Sequence, residues 1–113
     1  MTESILTSVK KSLGIAEEYT QFDADVMMHT NTALNLTNQL GLGVDGFSID
    51  DSSSTWEDFL GSDESKENLV KSYVCLKVRL LFDPPSGSSA MTAFTNLISE
   101  LEWRMALRSD EKQ

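Results

Sequence analysis

The residue types that carry chemistry are few in this chain, and their spacing does not favour reaction. His29 is the one histidine and Cys75 the one cysteine, so a histidine-rich metal site, a two-histidine proton relay and an intrachain disulfide are all excluded. His29 falls on an apolar stripe with Phe22, Val26 and Leu36, where a packed imidazole is the plain expectation. Cys75 sits in a continuous apolar run without a second thiol or imidazole nearby, the setting of an inert buried thiol rather than a nucleophile. Glu17 with Glu18 and Asp50 with Asp51 could in principle bind a cation or share acid-base work. The alternating acids, central glycine and terminal glutamate of a calcium loop are missing, however, and adjacent acids in a loop lack rigid geometry. Gly41, Gly43 and Gly46 follow a helix instead of preceding one, with no Lys or Arg beside them, so they do not form a phosphate cradle. Asn35-Leu36-Thr37 matches a glycosylation acceptor but lies mid-helix. No catalytic, metal or cofactor site is expected. The more promising group is Trp103, Arg104, Leu107 and Arg108, which places an indole and two guanidinium groups near the end of the last helix. Tryptophan and arginine are the side chains that most often anchor interfaces.

The elements that hold these residues are drawn from 113 residues, enough for one domain, 1–113, with one small core. Apolar residues make up 40% and charged residues 24%, so a packed fold is expected rather than disorder. Eighteen acids against nine bases give a net charge of −9. That sign disfavours direct binding to nucleic acid or to an anionic membrane. The acidity is uneven, with no Lys or Arg between Ser12 and Ser65 but eleven acids. Neither a signal peptide nor an apolar run long enough to cross a bilayer is expected.

Helical periodicity organises the rest. Ile5, Leu6, Val9 and Leu13 predict a first helix closed by Gly14 and Ile15. Thr20 and Asp23 have capping-box spacing ahead of a second helix over residues 22–40, with a stripe of Phe22, Val26, His29, Ala33, Leu36 and Leu40. Residues 41–55 read as one exposed excursion, with Phe47 to Ile49 extended enough for a short β-segment. Ser54 and Glu57 suggest the cap of a short helix bearing Trp56, Phe59 and Leu60. From Lys66 to Phe82 a wide apolar face predicts a central helix, the alternative of a strand over residues 73–82 failing on Leu80, Leu81 and Phe82. Asp83-Pro84-Pro85 reverses the chain. A last helix then carries Ala90, Phe94, Leu97, Leu101 and Met105 and frays over residues 109–113. The expected fold is all-α, a bundle of three or four main helices with a long irregular acidic loop.

Two stretches together resemble a known family. Val9-Lys10 with Leu13-Gly14-Ile15, a polar stretch, then Phe22-Asp23 and Asp25 leading into a long helix is similar to the head-tail connector, or adaptor, proteins of long-tailed bacteriophages. The run from Lys71-Ser72-Tyr73-Val74 to Leu80-Leu81-Phe82-Asp83-Pro84-Pro85, followed by a helix holding Glu100-Leu101-Glu102-Trp103-Arg104, resembles them too. The resemblance implies a virion protein of the neck, made in the host cytoplasm, that joins a ring of twelve copies beneath the portal. Such a ring extends the DNA exit channel and presents a surface to a stopper or tail-completion protein. It further implies that Trp103, Arg104, Leu107 and Arg108 contact the portal, and that the loop holding Asp45, Phe47, Ile49, Asp50 and Asp51 faces the channel or the stopper.

An acidic channel wall suits that role, because it repels phosphates and lets a duplex slide without specific binding. Basic residues after Ser65 could meet the acidic middle of a neighbouring copy, which makes Lys71 and Lys77 the expected inter-subunit contacts. The same composition also fits an acidic DNA mimic that occupies the basic groove of another protein, or another helical protein-binding module.

Overall fold

The computed structural model describes residues 3–110, the side chain of Asp110 excepted. Five helices follow one another: α1 (Ile5–Ser12), α2 (Asp23–Gln39), α3 (Trp56–Leu60), α4 (Glu64–Phe82) and α5 (Ser88–Asp110). The fold is all-α, as expected. Among the described residues the only β pairing is an isolated antiparallel bridge between Ser4 and Thr55, so Phe47 to Ile49 form no strand. Residues 73–82 are helical throughout.

α4 is the axis of the molecule, and α1, α2, α3 and α5 all pack against it. Val70, Tyr73, Val74 and Val78 on α4 are fully buried with Ile5 and Val9 of α1, Val26, Ala33 and Leu34 of α2, and Trp56 and Phe59 of α3. α5 adds Ile98 and Met105. Phe22 at the start of α2 meets Phe82 at the end of α4, and the end of α5 meets the start of α4 through Arg108 and Asp63. Both α2 and α5 therefore run antiparallel to α4.

The first helix closes as its sequence implies. Gly14, at φ +77°, lets Ile15 N–H reach Lys10 O at 2.9 Å and Gly14 N–H reach Lys11 O at 3.1 Å, the double bond of a glycine C-cap. The second helix begins differently from expectation. Phe22, whose ring offers no acceptor, is its N-cap, and the Asp23 carboxylate expected to close a box with Thr20 is turned instead to Lys10 of α1 at 2.8 Å. The Lys10 ammonium is buried, 3% exposed, and donates also to Glu17 O at 2.9 Å and Tyr19 O at 2.8 Å. One cation thus ties the α1–α2 turn to both helices.

The buried stripe of α2 is Val26, Thr30, Ala33, Leu34 and Thr37. Phe22 lies exposed at its edge, and His29, Leu36 and Leu40 are half-buried. The two threonines enter the core because their hydroxyls donate to Val26 O at 2.7 Å and Ala33 O at 2.9 Å, leaving no orphan donor. A hydrophobic pattern alone does not find such positions.

The connection over residues 41–55 is not the exposed excursion expected. Leu42 and Ile49 are buried at 2% and 4% exposure, and Phe47 packs its ring on Phe59 at 5.0 Å. Asn31 fixes the loop from α2: its Oδ1 accepts from Ile49 N–H at 2.7 Å and its Nδ2 donates to Ile49 O at 3.0 Å. The capping box of α3 falls one residue later than its sequence reading, on Thr55 and Asp58, whose side chain and backbone bond reciprocally at 3.2 and 2.9 Å. In α5, Ile98 replaces Leu97 as the inward residue, while Ala90 and Leu97 are exposed. That helix continues unfrayed through Asp110, and residues 111–113 lie outside those described.

Candidate functional site

The antiparallel packing of α5 on α4 brings the last three turns of α5 over the first turns of α4. There Leu69, Trp103, Arg104, Leu107 and Arg108 line one shallow surface depression. The four residues singled out on α5 are thus brought together, and Leu69, read from the sequence only as a core residue, joins them. Trp103 is 62% exposed and Leu107 44% exposed, so neither closes the core. The indole that does so is Trp56, whose Nε1 donates to Ser8 Oγ at 3.0 Å.

The two arginines at this depression are held differently. Arg104 lies along its own helix, with Nε and Nη2 donating to Glu100 Oε2 at 3.0 and 2.7 Å. Arg108 crosses to α4, where Nη2 stands 3.1 Å from Asp63 Oδ2 and also donates to Ser65 Oγ. Asp63 is itself the N-cap of α4, accepting from Lys66 N–H at 3.1 Å. That backbone donor, followed by the Arg108 guanidinium, holds the Asp63 carboxyl below its ordinary range. The cap of α4 and the end of α5 are therefore joined by one carboxylate, and an apolar floor is framed by cations whose own charge is partly answered.

Tyr73, deeper in the α4–α5 seam, donates to Glu102 Oε2 at 2.9 Å. Burial first, and the Glu102 carboxylate second, push the Tyr73 phenol well above its ordinary range, so it stays a proton donor.

The loop residues separate into two kinds. Asp45, Asp50 and Asp51 reach solvent; Phe47 is half-buried and Ile49 belongs to the core, so these two do not face outward. Asp45 Oδ1 accepts from Asn38 Nδ2 at 2.9 Å, at the end of α2. Asp50 and Asp51 border a different depression with Lys10, Glu17, Thr20 and Asp23. Ser53 supports Asp51 through its hydroxyl at 2.6 Å and its N–H at 2.8 Å, and these bonds lower the Asp51 carboxyl below its ordinary range.

Lys71 is engaged within the chain, paired with Glu3, and that partner lowers the Glu3 carboxyl. Lys77 is half-buried and makes no ion pair among the described residues. His29 packs edge-on to Phe82 with centroids 6.3 Å apart, and burial raises the Cys75 thiol above its ordinary range. No group of three or more His, Cys, Asp or Glu among the described residues is placed to hold a metal ion. No helix among them is long and apolar enough to cross a membrane.

An all-helical body with an exposed indole and leucine framed by arginines has the makings of a protein-binding module. The family model for phage connector proteins matches residues 5–112, and the chain belongs to that family. Connector proteins are structural parts of the phage neck, and the chain is accordingly a virion component. No curated protein and no solved structure matches it.

Proposed function

We propose that this connector works as an adaptor ring: copies assemble beneath the portal, extend its DNA channel and offer their far side to a stopper or tail-completion protein. The observation that carries this reading is the depression lined by Leu69, Trp103, Arg104, Leu107 and Arg108. Trp103 is the most exposed large apolar side chain among the described residues, at 62%. Solvating an indole and a leucine side by side is unfavourable, and covering them with a partner recovers that free energy. The portal is the partner this surface serves, with the indole as anchor and the two guanidinium groups at the rim.

The exposed acids Asp45, Asp50 and Asp51 support the second part of the reading. Carboxylates facing a channel keep the duplex from adhering, and their effect on DNA is confined to the roughly 8 to 10 Å over which salt leaves charges visible. Binding and channel formation then constitute the whole mechanism.

Native mass spectrometry of the chain mixed with the portal ring from the same genome tests this directly. A discrete, saturating addition of subunits is expected, twelve for a ring matched to the portal. The double variant Trp103→Ala, Leu107→Ala should lose it while keeping the helical circular dichroism of the parent, since both side chains are exposed. Equal decoration of the portal by the variant, or no association by the parent across moderate salt, would overturn the reading.

A further inference from the structure

Where α2 begins and α4 ends, aromatic rings follow one another in contact without being covered by the fold. Tyr19 meets Phe22 with centroids 5.7 Å apart, Phe22 meets Phe82 at 5.6 Å, and Phe82 meets His29 at 6.3 Å. The contact of Phe22 with Phe82 has a structural reason, since it joins α2 to α4. Tyr19, however, lies ahead of α2 and is 45% exposed, and Phe22 is still 39% exposed. The Tyr19 hydroxyl donates to Gln21 Oε1 at 2.6 Å, which ties the ring to its own turn rather than to the core. Its backbone is held too, because Tyr19 O accepts from the buried Lys10 ammonium at 2.8 Å. An exposed ring fixed at both ends loses little freedom when a partner covers it.

The charges that flank these rings select what can cover them. Glu18 precedes Tyr19, Asp25 follows Phe22 by three residues and Asp83 follows Phe82, and all three acids are exposed and outside any ion pair among the described residues. The cations closest in sequence are engaged elsewhere. Lys10 is buried on Asp23, Lys11 borders a depression with Glu3 and Glu17, and Arg79 lies over the Phe94 ring at 5.7 Å. Ring faces are themselves electron-rich, so rings beside carboxylates favour a cation with a flat, weakly hydrated head, which is a guanidinium. Arg79 on Phe94 is that contact made within the chain.

The same chemistry sets other occupants aside. DNA and an anionic bilayer are repelled by the three acids. A second copy offers no guanidinium without undoing a contact of its own: of the three arginines, Arg79 is on Phe94, Arg104 on Glu100 and Arg108 on Asp63. The docking depression lies at the other end of α4, whose 19 residues put the two ends roughly 27 Å apart. Both surfaces can therefore be occupied together.

We propose that Tyr19, Phe22 and Phe82 receive an arginine-bearing segment of another protein. The guanidinium lies on the exposed rings and is answered by the carboxylates of Glu18, Asp25 and Asp83, while an apolar neighbour of that arginine covers the ring edges. This goes beyond the adaptor-ring reading and holds for a single chain.

NMR titration of the free chain tests it, with the capped peptide Leu-Arg-Leu-Arg-Leu as probe and the same peptide with citrulline for arginine as control. The arginine peptide should shift the ring resonances of Tyr19, Phe22 and Phe82 saturably, and the citrulline peptide should bind about tenfold more weakly. Tyr19→Ser should weaken the arginine peptide about fivefold without moving the thermal midpoint, since that ring is exposed and its hydroxyl bonds within its own turn. Asp25→Asn with Asp83→Asn should weaken it as well, whereas Asp45→Asn with Asp50→Asn should not. Absence of ring shifts at millimolar peptide would overturn the inference, as would equal binding of the citrulline peptide or unchanged affinity in Tyr19→Ser. Shifts spread equally to the resonances around Asp45 and Asp50 would also overturn it, because they mark diffuse attraction to an acidic chain. Portal binding is scored separately by the Trp103 and Leu107 variant, so failure of arginine binding leaves the portal reading standing, and the reverse holds too.

Discussion

At the scale of single residues, two glycines in the same loop have different reasons for being glycine. Gly43 has φ +87°, and a Cβ there would stand 2.3 Å from Cζ and 2.4 Å from Cε1 of Phe59, a ring that is itself 1% exposed. Gly46 has φ +73° but nothing within 4 Å of its would-be Cβ. Gly46→Ala should therefore meet only the left-handed backbone penalty, about 1 kcal/mol. Gly43→Ala adds overpacking against an immobile ring, for a total near ~3 kcal/mol. Urea midpoints at unchanged slope measure both; equal losses would show that Phe59 yields to the methyl. Asn31 offers a second test, since both ends of its amide hold the backbone of Ile49. Asn31→Ala should cost about 2 kcal/mol by leaving a buried N–H and C=O unpaired, and amide exchange at Ile49 should quicken more than at Val74. Neither role could be read from sequence. An asparagine eighteen residues from its partner carries no local signature, and the polar, glycine-rich composition around Gly43 suggests mobility rather than a ring lying on the backbone.

The helices themselves were largely legible, because four of the five are written in apolar steps of three and four or in turn chemistry that reports on its own neighbours. Gly14 with Ile15, the two prolines after Asp83 and the wide face of α4 all act locally, and all are found where the sequence places them. At the helix starts, what failed was the assignment of polar groups that have two possible partners. Thr20 and Asp23 have the spacing of a capping box, but a buried ammonium competes for Asp23, and the ion pair wins. The consequence is testable at the level of the α1–α2 unit. Lys10→Met keeps most of the side-chain volume while leaving Glu17 O and Tyr19 O without their donor and Asp23 without its cation. It should destabilise by about 3 kcal/mol. Asp23→Asn, which leaves both carbonyl bonds in place and lies 23% exposed, should cost less than half as much. Thermal or urea unfolding of the pair decides: similar losses would mean that the carboxylate, not the two carbonyls, is what Lys10 holds. Of the candidate docking surface, the members on α5 could be named in advance because they share one helix end; Leu69 could not, since its arrival depends on how α5 lies across α4.

For the whole molecule the balance between a net charge of −9 and a few well-placed carboxylates decides how stability responds to solution conditions. Repulsion among eighteen acids opposes compaction at neutral pH, so raising salt should stabilise the chain, although it also weakens exposed pairs such as Arg104 with Glu100. Protons act through the carboxylates whose folded state favours ionisation. Glu3 beside Lys71, Asp51 under Ser53, and Asp63 at the cap of α4 are all lowered. A lowered carboxylate binds fewer protons folded than unfolded, so its contribution is complete above the ordinary carboxylate range and disappears as pH falls through the depressed values. The urea midpoint should thus hold between pH 7 and about 5 and decline below roughly 4.5, the ordinary carboxylate range. Asp63 is the informative member, because its loss removes the carboxylate that pairs with Arg108, leaving only the Ser65 hydroxyl to hold that guanidinium on α4, and so loosens the docking depression as well as the fold. Asp63→Asn should lower the midpoint at pH 7, make the acid decline shallower than in the parent, and leave Arg108 without its carboxylate partner on α4. If the variant kept the parent's full acid slope, the decline would be carried by Glu3 and Asp51, and the Asp63 pairing would contribute nothing to it. The seating of α5 beneath the proposed portal anchor would then rest on buried Ile98 and Met105 and on the Tyr73–Glu102 hydrogen bond rather than on the ion pair at its end.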